Sequence, residues 1–212
     1  NLESMNPDII IIRHSAAGAA HILADLLEQS IINAGDGAHE HPTQALLDML
    51  TIREKKGTME GLRIAIVGDI AHSRVAHSNI YGFTKMGADV SICGPATMIP
   101  MDIDQMGVSV YYKMEDAIKD ADVVMMLRMQ LERQEKNLFP SLREYANYFS
   151  LNRDNINLAK NDVLVMHPGP INRGVEITPE IADGPYSVIL EQVTNGVAVR
   201  MALLYLLSGG KK

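Results

Sequence analysis

The chain has 212 residues, of which 47% are hydrophobic, 21% charged and 5% aromatic, and 19 Lys and Arg stand against 26 Asp and Glu for a formal charge of −7. That balance excludes a disordered, collagen-like or nucleic-acid-coating chain, since neutralising many phosphates takes a clustered surplus of cations. The length admits one domain or two small ones with a sizeable core.

From the N-terminus, Pro7-Asp8 leads into the β-branched run Ile9–Ile12, suited to a buried strand, with no preceding element to pair with it. The chain therefore reads as one that starts partway through a domain. Apolar runs then alternate with amphipathic stretches to the C-terminus. Strands are expected at Ile9–Ile12, Ile31–Asn33, Leu62–Val67, Asp89–Ile92, Ser109–Tyr111, Val123–Leu127 and Val163–Met166. Helices are expected at Ala16–Gln29, Thr43–Lys55, His72–Met86, Glu115–Lys119, Leu142–Tyr145 and Leu190–Leu207. This alternation is the βαβ signature of an α/β protein with mostly parallel sheets. A break falls at Lys55-Lys56-Gly57-Thr58, where an apolar helix ends in charge and glycine, and another at Asp183-Gly184-Pro185. Beyond the second, Val193, Val197, Ala198, Met201, Leu204 and Tyr205 recur at helical spacing, an apolar face fit to pack on a domain.

Cys93 is the only cysteine, so no intrachain disulfide can form and a reducing cytoplasm is the expected compartment. No run reaches the roughly 20 apolar residues of a membrane-spanning helix, and no basic-then-apolar leader opens the chain. Neither membrane nor nucleic acid is an expected partner.

In open parallel sheets, ligands bind beyond the C-terminal strand ends. There the chain carries Arg13-His14, then Gly68-Asp69 followed by His72-Ser73-Arg74, then Arg128-Met129-Gln130, and finally His167-Pro168-Gly169-Pro170. One strand-end Arg alone is ordinarily a solvated one. Three at one edge of an acidic protein point to a site for small carboxylates or phosphates, which a guanidinium fork matches. The segment His39-Glu40-His41-Pro42-Thr43-Gln44 joins a flexible glycine loop to a helix start, whose free N–H groups favour an anion, and His41 and Gln44 lie one turn apart. Read as a metal site, His39-Glu40-His41 lacks a third ligand at helical spacing. Arg63–Gly68 begins like a dinucleotide-binding unit but lacks the subsequent Gly-x-x-Gly, which disfavours a dehydrogenase. The Pro168-Gly169-Pro170 turn suits either a purely structural corner or backbone groups aimed at a ligand.

Four motifs in order, His41-Pro42-Thr43-Gln44, Gly68-Asp69 to Ala76, Arg128–Arg133 and His167–Gly174, resemble bacterial aspartate carbamoyltransferases. The resemblance implies two doubly wound parallel-sheet domains, the first truncated, with a linking helix and a returning C-terminal helix. Residues 1–57 would be the latter part of a carbamoyl-phosphate domain, 58–185 an aspartate domain, and 186–212 a helix packing back on the first. It further implies transfer of a carbamoyl group from carbamoyl phosphate to the α-amine of L-aspartate, with no cofactor or metal. Arg13, His41 and Gln44 would contact carbamoyl phosphate, Arg13 and His41 as catalytic residues, and Pro168, Gly169 and Pro170 would orient the carbamoyl group. Arg74, Arg128 and Gln130 would hold aspartate. A homotrimer with shared sites is implied, and a regulatory chain or a dihydroorotase is compatible with it. The family's Ser-Thr-Arg-Thr phosphate motif and its Ser- and Lys-bearing loop do not occur here, so a catalytically incomplete fragment or partner subunit is one alternative. A carbamoyltransferase with another amino acid acceptor is a second.

Overall fold

The computed structural model describes residues 1, 3–129 and 141–209. Two parallel strands, β1 (Ile9–His14) and β2 (Ser30–Asp36), flank helix α1 (Ala19–Leu26) and make a small first sheet. Helix α2 (Pro42–Lys56) then leads to a second sheet of β3 (Arg63–Val67), β4 (Asp89–Cys93), β5 (Ser109–Tyr111), β6 (Val123–Met126) and β7 (Leu164–Met166). Its strands lie in the order β5-β4-β3-β6-β7, and every pairing is parallel. Helices α3 (Arg74–Lys85), α4 (Met114–Ile118), α5 (Leu142–Phe149) and α6 (Pro179–Ala182) accompany this sheet, and α7 (Ile189–Leu207) closes the described chain.

The central strands are buried on both faces, which is why they read as continuous apolar runs. Alternation along β3 divides the core in two. Ile64 and Ile66 pack with Phe83, Ile80, Val90 and Ile92, whereas Ala65 and Val67 pack with Met114, Ile118, Tyr145 and Phe149. The direction of strand addition reverses at β3, because β4 and β5 build outward on one side and β6 and β7 are added on the other. That strand-order switch fixes where a cleft can open.

Several local expectations shift. Helix α1 is shorter than its pattern, because Gly18 adopts a left-handed conformation (φ 80°) and Asp36 accepts its N–H at 2.7 Å. Strand β2 runs to Asp36 and takes in part of the expected glycine loop. Helix α3 starts at Arg74, since Ser73 caps it by accepting the Ala76 N–H. Helix α6 has only four residues, too few to leave a periodic signal.

The largest difference concerns α7. Of the row expected to pack, Val193, Val197, Met201 and Tyr205 are more than half exposed, and Ala198 and Leu204 are exposed as well. The first half of the face turned to α2 is polar instead: Asn195 Nδ2 donates to Thr51 Oγ1 and Glu54 Oε2, and Lys55 pairs with Glu191 at 3.0 Å, while Val199 and Leu203 face Leu46 and Leu50 further along. Directional bonds to α2 therefore set the rotation of this helix. Cys93 is buried, and burial pushes its thiol up to about 12, leaving it unreactive as a thiolate at neutral pH.

Phe83 is fully buried under the second sheet. Phe83→Ala is expected to destabilise the chain by about 3–5 kcal/mol through lost transfer energy and the cavity left behind. Urea unfolding should register this as a lower midpoint at unchanged slope.

Candidate active site

A cleft of about 270 Å³ opens beyond the strand-order switch, lined by residues that follow strands of both sheets and by the start of α2. Arg13 reaches it from the end of β1, Arg74 from the start of α3, and Arg128 from just beyond β6. His41 and Gln44 reach it from the start of α2, and Pro168, Gly169 and Pro170 form the turn after β7 on the opposite wall. Residues singled out by their place at strand ends and at a helix start are thus brought together here. Gln130 lies outside the described residues. Ser73 and Val75 also line the cleft, but among the described residues no carboxylate does. Larger hollows lie elsewhere among the described residues, such as a 340 Å³ apolar groove between α2 and α7 and a 560 Å³ recess beside Tyr112 and Tyr148. Neither gathers more than one cation, so chemistry rather than size singles out the smaller cleft.

Each cation is placed by its backbone. The β1–β2 register shifts between Ile12 and His14, and Arg13 sits at that irregularity, a common device for re-aiming a side chain. Arg74, only 6% exposed, lies across β2 and donates from Nη1 to the Gly37 carbonyl at 3.4 Å. This approach needs Gly35: a Cβ there would stand 2.8 Å from the Arg74 guanidinium carbon, and the φ of +116° itself disfavours any L side chain. In the sequence Gly35 suggests only loop flexibility, whereas in the structure it lets a charged group cross the strand.

His41 precedes the first turn of α2, and its N–H donates to Ser78 Oγ at 2.8 Å, tying α2 to α3. Burial lowers its pKa, and Arg74, Arg200 and Arg13 lower it further, to about 4. The imidazole is therefore neutral at physiological pH, an N–H donor rather than a cation. His39 turns away and pairs with the buried Asp36 at 3.1 Å.

Gln44 does not point freely into the cleft. Its Nε2 donates to Asp48 Oδ1 at 3.1 Å, one helical turn on, which leaves Oε1 as the group to present to a ligand. Across the cleft, the His167 N–H donates to Gln192 Oε1 at 2.9 Å. The Gly169 N–H donates to His167 Nδ1 at 2.9 Å, which assigns the imidazole proton to Nε2, facing Glu176 Oε1 at 3.2 Å. His167 and Glu176 are both buried. The turn, containing a cis Gly169–Pro170 bond, thus rests on a polar frame of which only the histidine adjoins it in sequence. Chemically, the cleft offers three guanidinium groups, a neutral imidazole and an amide carbonyl. It is built for small anions carrying a polar N–H group.

Comparison with known proteins gives a consistent picture. Residues 1–54 match the family model described as aspartate/ornithine carbamoyltransferase, carbamoyl-P binding domain, and residues 60–207 match the Asp/Orn binding domain of the same family. The chain is 72% identical over 209 residues to the aspartate carbamoyltransferase catalytic subunit of Syntrophus aciditrophicus, covering 99% of this chain and 68% of that one. It is 63% identical to the corresponding subunit of Syntrophotalea carbinolica over 212 residues, again spanning 68% of the relative. Among solved structures, ornithine carbamoyltransferase from Pyrococcus furiosus aligns with a TM-score of 0.85 at 32% identity, covering 100% of this chain and 70% of that one. Aspartate transcarbamoylase from Trypanosoma cruzi in complex with N-(phosphonacetyl)-L-aspartic acid aligns at 0.82 and 28%, covering 96% and 67%.

The geometry sets two expected outcomes. Gly35→Ala should displace the Arg74 guanidinium and weaken binding of a dicarboxylate such as succinate, measured by calorimetry, while Gly57→Ala, at an open helix end, should not. His41, with its folded pKa below its ordinary value of 6.5, makes the unfolded state the better proton acceptor between about pH 6.5 and 4. Its contribution to stability is full above that window and is lost as pH falls through it, so His41→Gln should flatten the decline of unfolding free energy from pH 7 to 5.

Proposed function

The chain belongs to the aspartate/ornithine carbamoyltransferase family, and from that premise we propose that it transfers the carbamoyl group of carbamoyl phosphate to the α-amine of L-aspartate. N-carbamoyl-L-aspartate and phosphate are the products. The observation that carries this reading is the convergence of Arg13, Arg74 and Arg128 on one cleft, with no carboxylate among the described residues that line it. Such a cleft attracts two anions at once, and its described lining offers no counter-charge to the cationic side chain of ornithine. Relatives named aspartate carbamoyltransferase at 60% identity and above support the same acceptor.

In this reading Arg13 and the neutral His41 donate to the carbamoyl oxygen and stabilise the charge that develops on it. Gln44 Oε1 and the Pro168 carbonyl accept from the carbamoyl NH₂. Arg74 and Arg128 grip the two carboxylates of aspartate, with Gln130 as a further contact, and hold its uncharged amine in line. The C–N bond forms as the C–O bond to phosphate breaks, and the amine proton passes to the departing phosphate or solvent. No enzyme nucleophile takes part. Juxtaposition of two anions is the main difficulty, and fixed guanidinium groups remove it.

The reading extends to organisation. Residues 1–57 form the carbamoyl-phosphate side, 58–185 the aspartate side, and 186–212 the returning helix. Active protein is a homotrimer with sites shared between copies, in the cytoplasm, and a regulatory chain or dihydroorotase can join it. Among the described residues, no helix is long and apolar enough to cross a membrane.

Carbamoylaspartate formation is the direct test, with ornithine as control acceptor. Turnover with aspartate alone is expected, and turnover with ornithine alone contradicts the assignment. Arg128→Ala should reduce kcat/KM for aspartate by about 10²–10³, and near-normal aspartate kinetics in that variant would remove Arg128 from its proposed role.

A further inference from the structure

Asp48 lies on α2, fully buried, away from the cleft lining. Its carboxylate accepts three amide N–H bonds: from Gln44 Nε2 at 3.1 Å, from Gln192 Nε2 on α7 at 2.7 Å, both to Oδ1, and from Asn79 Nδ2 on α3 at 2.8 Å, to Oδ2. An ionised carboxylate accepts only, so it dictates which way each amide faces. Gln44 must turn its nitrogen inward and its oxygen toward the cleft. Gln192 must likewise offer Oε1 to the His167 N–H, one residue before the Pro168–Pro170 turn. Asn79 ties the same carboxylate to the helix that begins with Arg74.

We propose that Asp48 is a positioning residue for the carbamoyl-transfer reaction, setting the polarity of Gln44 and, through Gln192, the placement of the Pro168–Pro170 turn. This rests on the functional reading above. Burial raises the Asp48 carboxyl to about 6, against the pull of its three amide donors and Arg200. The carboxylate thus costs stability at neutral pH and is not explained by stability alone. A buried charge held at such cost, linking Gln44 to the residue before the Pro168–Pro170 turn, is placed for geometry.

The test compares two variants of the full chain. Asp48→Asn keeps the shape and an acceptor oxygen for both glutamines. Its new N–H meets Asn79, whose Oδ1 is buried without a partner among the described residues and can turn to accept it. Asp48→Leu leaves all three amides without their acceptor. The Leu variant is expected to lose about 10²-fold in kcat, as misplacement by an ångström or so does, with a much smaller change in KM for aspartate, and the Asn variant to recover most of that loss. In ligand-free protein, hydrogen exchange at the His167 and Gly169 amides should accelerate in Leu and not in Asn, while amides of Ile64–Val67 hold their wild-type rates. Should Asp48→Leu fail to fold, Gln192→Met, which cuts only the link to the turn, carries the same comparison. Wild-type kcat in the Leu variant, or uniform acceleration across sheet and turn alike, overturns the proposal. If wild-type protein forms no carbamoylaspartate, the functional reading fails by itself, and the exchange rates alone decide whether Asp48 holds the turn.

Discussion

Three guanidinium groups share one small cleft, and their mutual repulsion is the constraint around which the rest is arranged. Like charges brought this close are tolerated only if each is fixed by backbone that cannot relax away. Arg13 is fixed at a strand irregularity, Arg74 by capping at Ser73 and passage over Gly35, and Arg128 by the end of a fully buried strand. Burial keeps His41 neutral, and Arg74, Arg200 and Arg13 reinforce it.

Fixing cations on three elements requires that those elements not move relative to one another. Apolar packing does this within the second sheet, where β3 divides two dense clusters. Between α2, α3 and α7, hydrogen bonds add to the apolar contacts that Ile52 and Met49 make. Asp48, Thr51 and Glu54 of α2 meet Asn79, Gln192 and Asn195. Polar contacts specify rotation and register more narrowly than apolar ones, because each donor has one acceptor and a wrong pairing leaves a buried group unsatisfied. That explains why α7 buries Gln192 and Asn195 and leaves Val193, Val197 and Met201 exposed.

The parts of this arrangement that obey local rules were legible in the sequence. Strand positions came from apolar runs, and the cleft cations came from the residues just past the end of each run, because a parallel sheet places function there. The features that eluded the sequence depend on distant partners. Gln192 and Asp48 are 144 residues apart, and Asn79 and Asp48 are 31 apart. A polar residue in a helix looks solvated until its partner is known. The apolar spacing of Val193, Val197 and Met201 misled for the same reason: periodicity finds a hydrophobic face but not which face the neighbouring helix takes. Gln44 and Asp48, one turn apart on a single helix, were the one part of the network within reach of pattern reading.

The central claim is that this cleft holds the two substrates side by side, each on its own cations. A crystal structure of the chain with N-(phosphonacetyl)-L-aspartate, which joins a phosphonate to an aspartate in one molecule, tests it most directly. The phosphonacetyl group is expected against Arg13, His41 and Gln44 and the two carboxylates against Arg74 and Arg128. Density for the compound elsewhere, or with its carboxylates remote from both of those arginines, contradicts it.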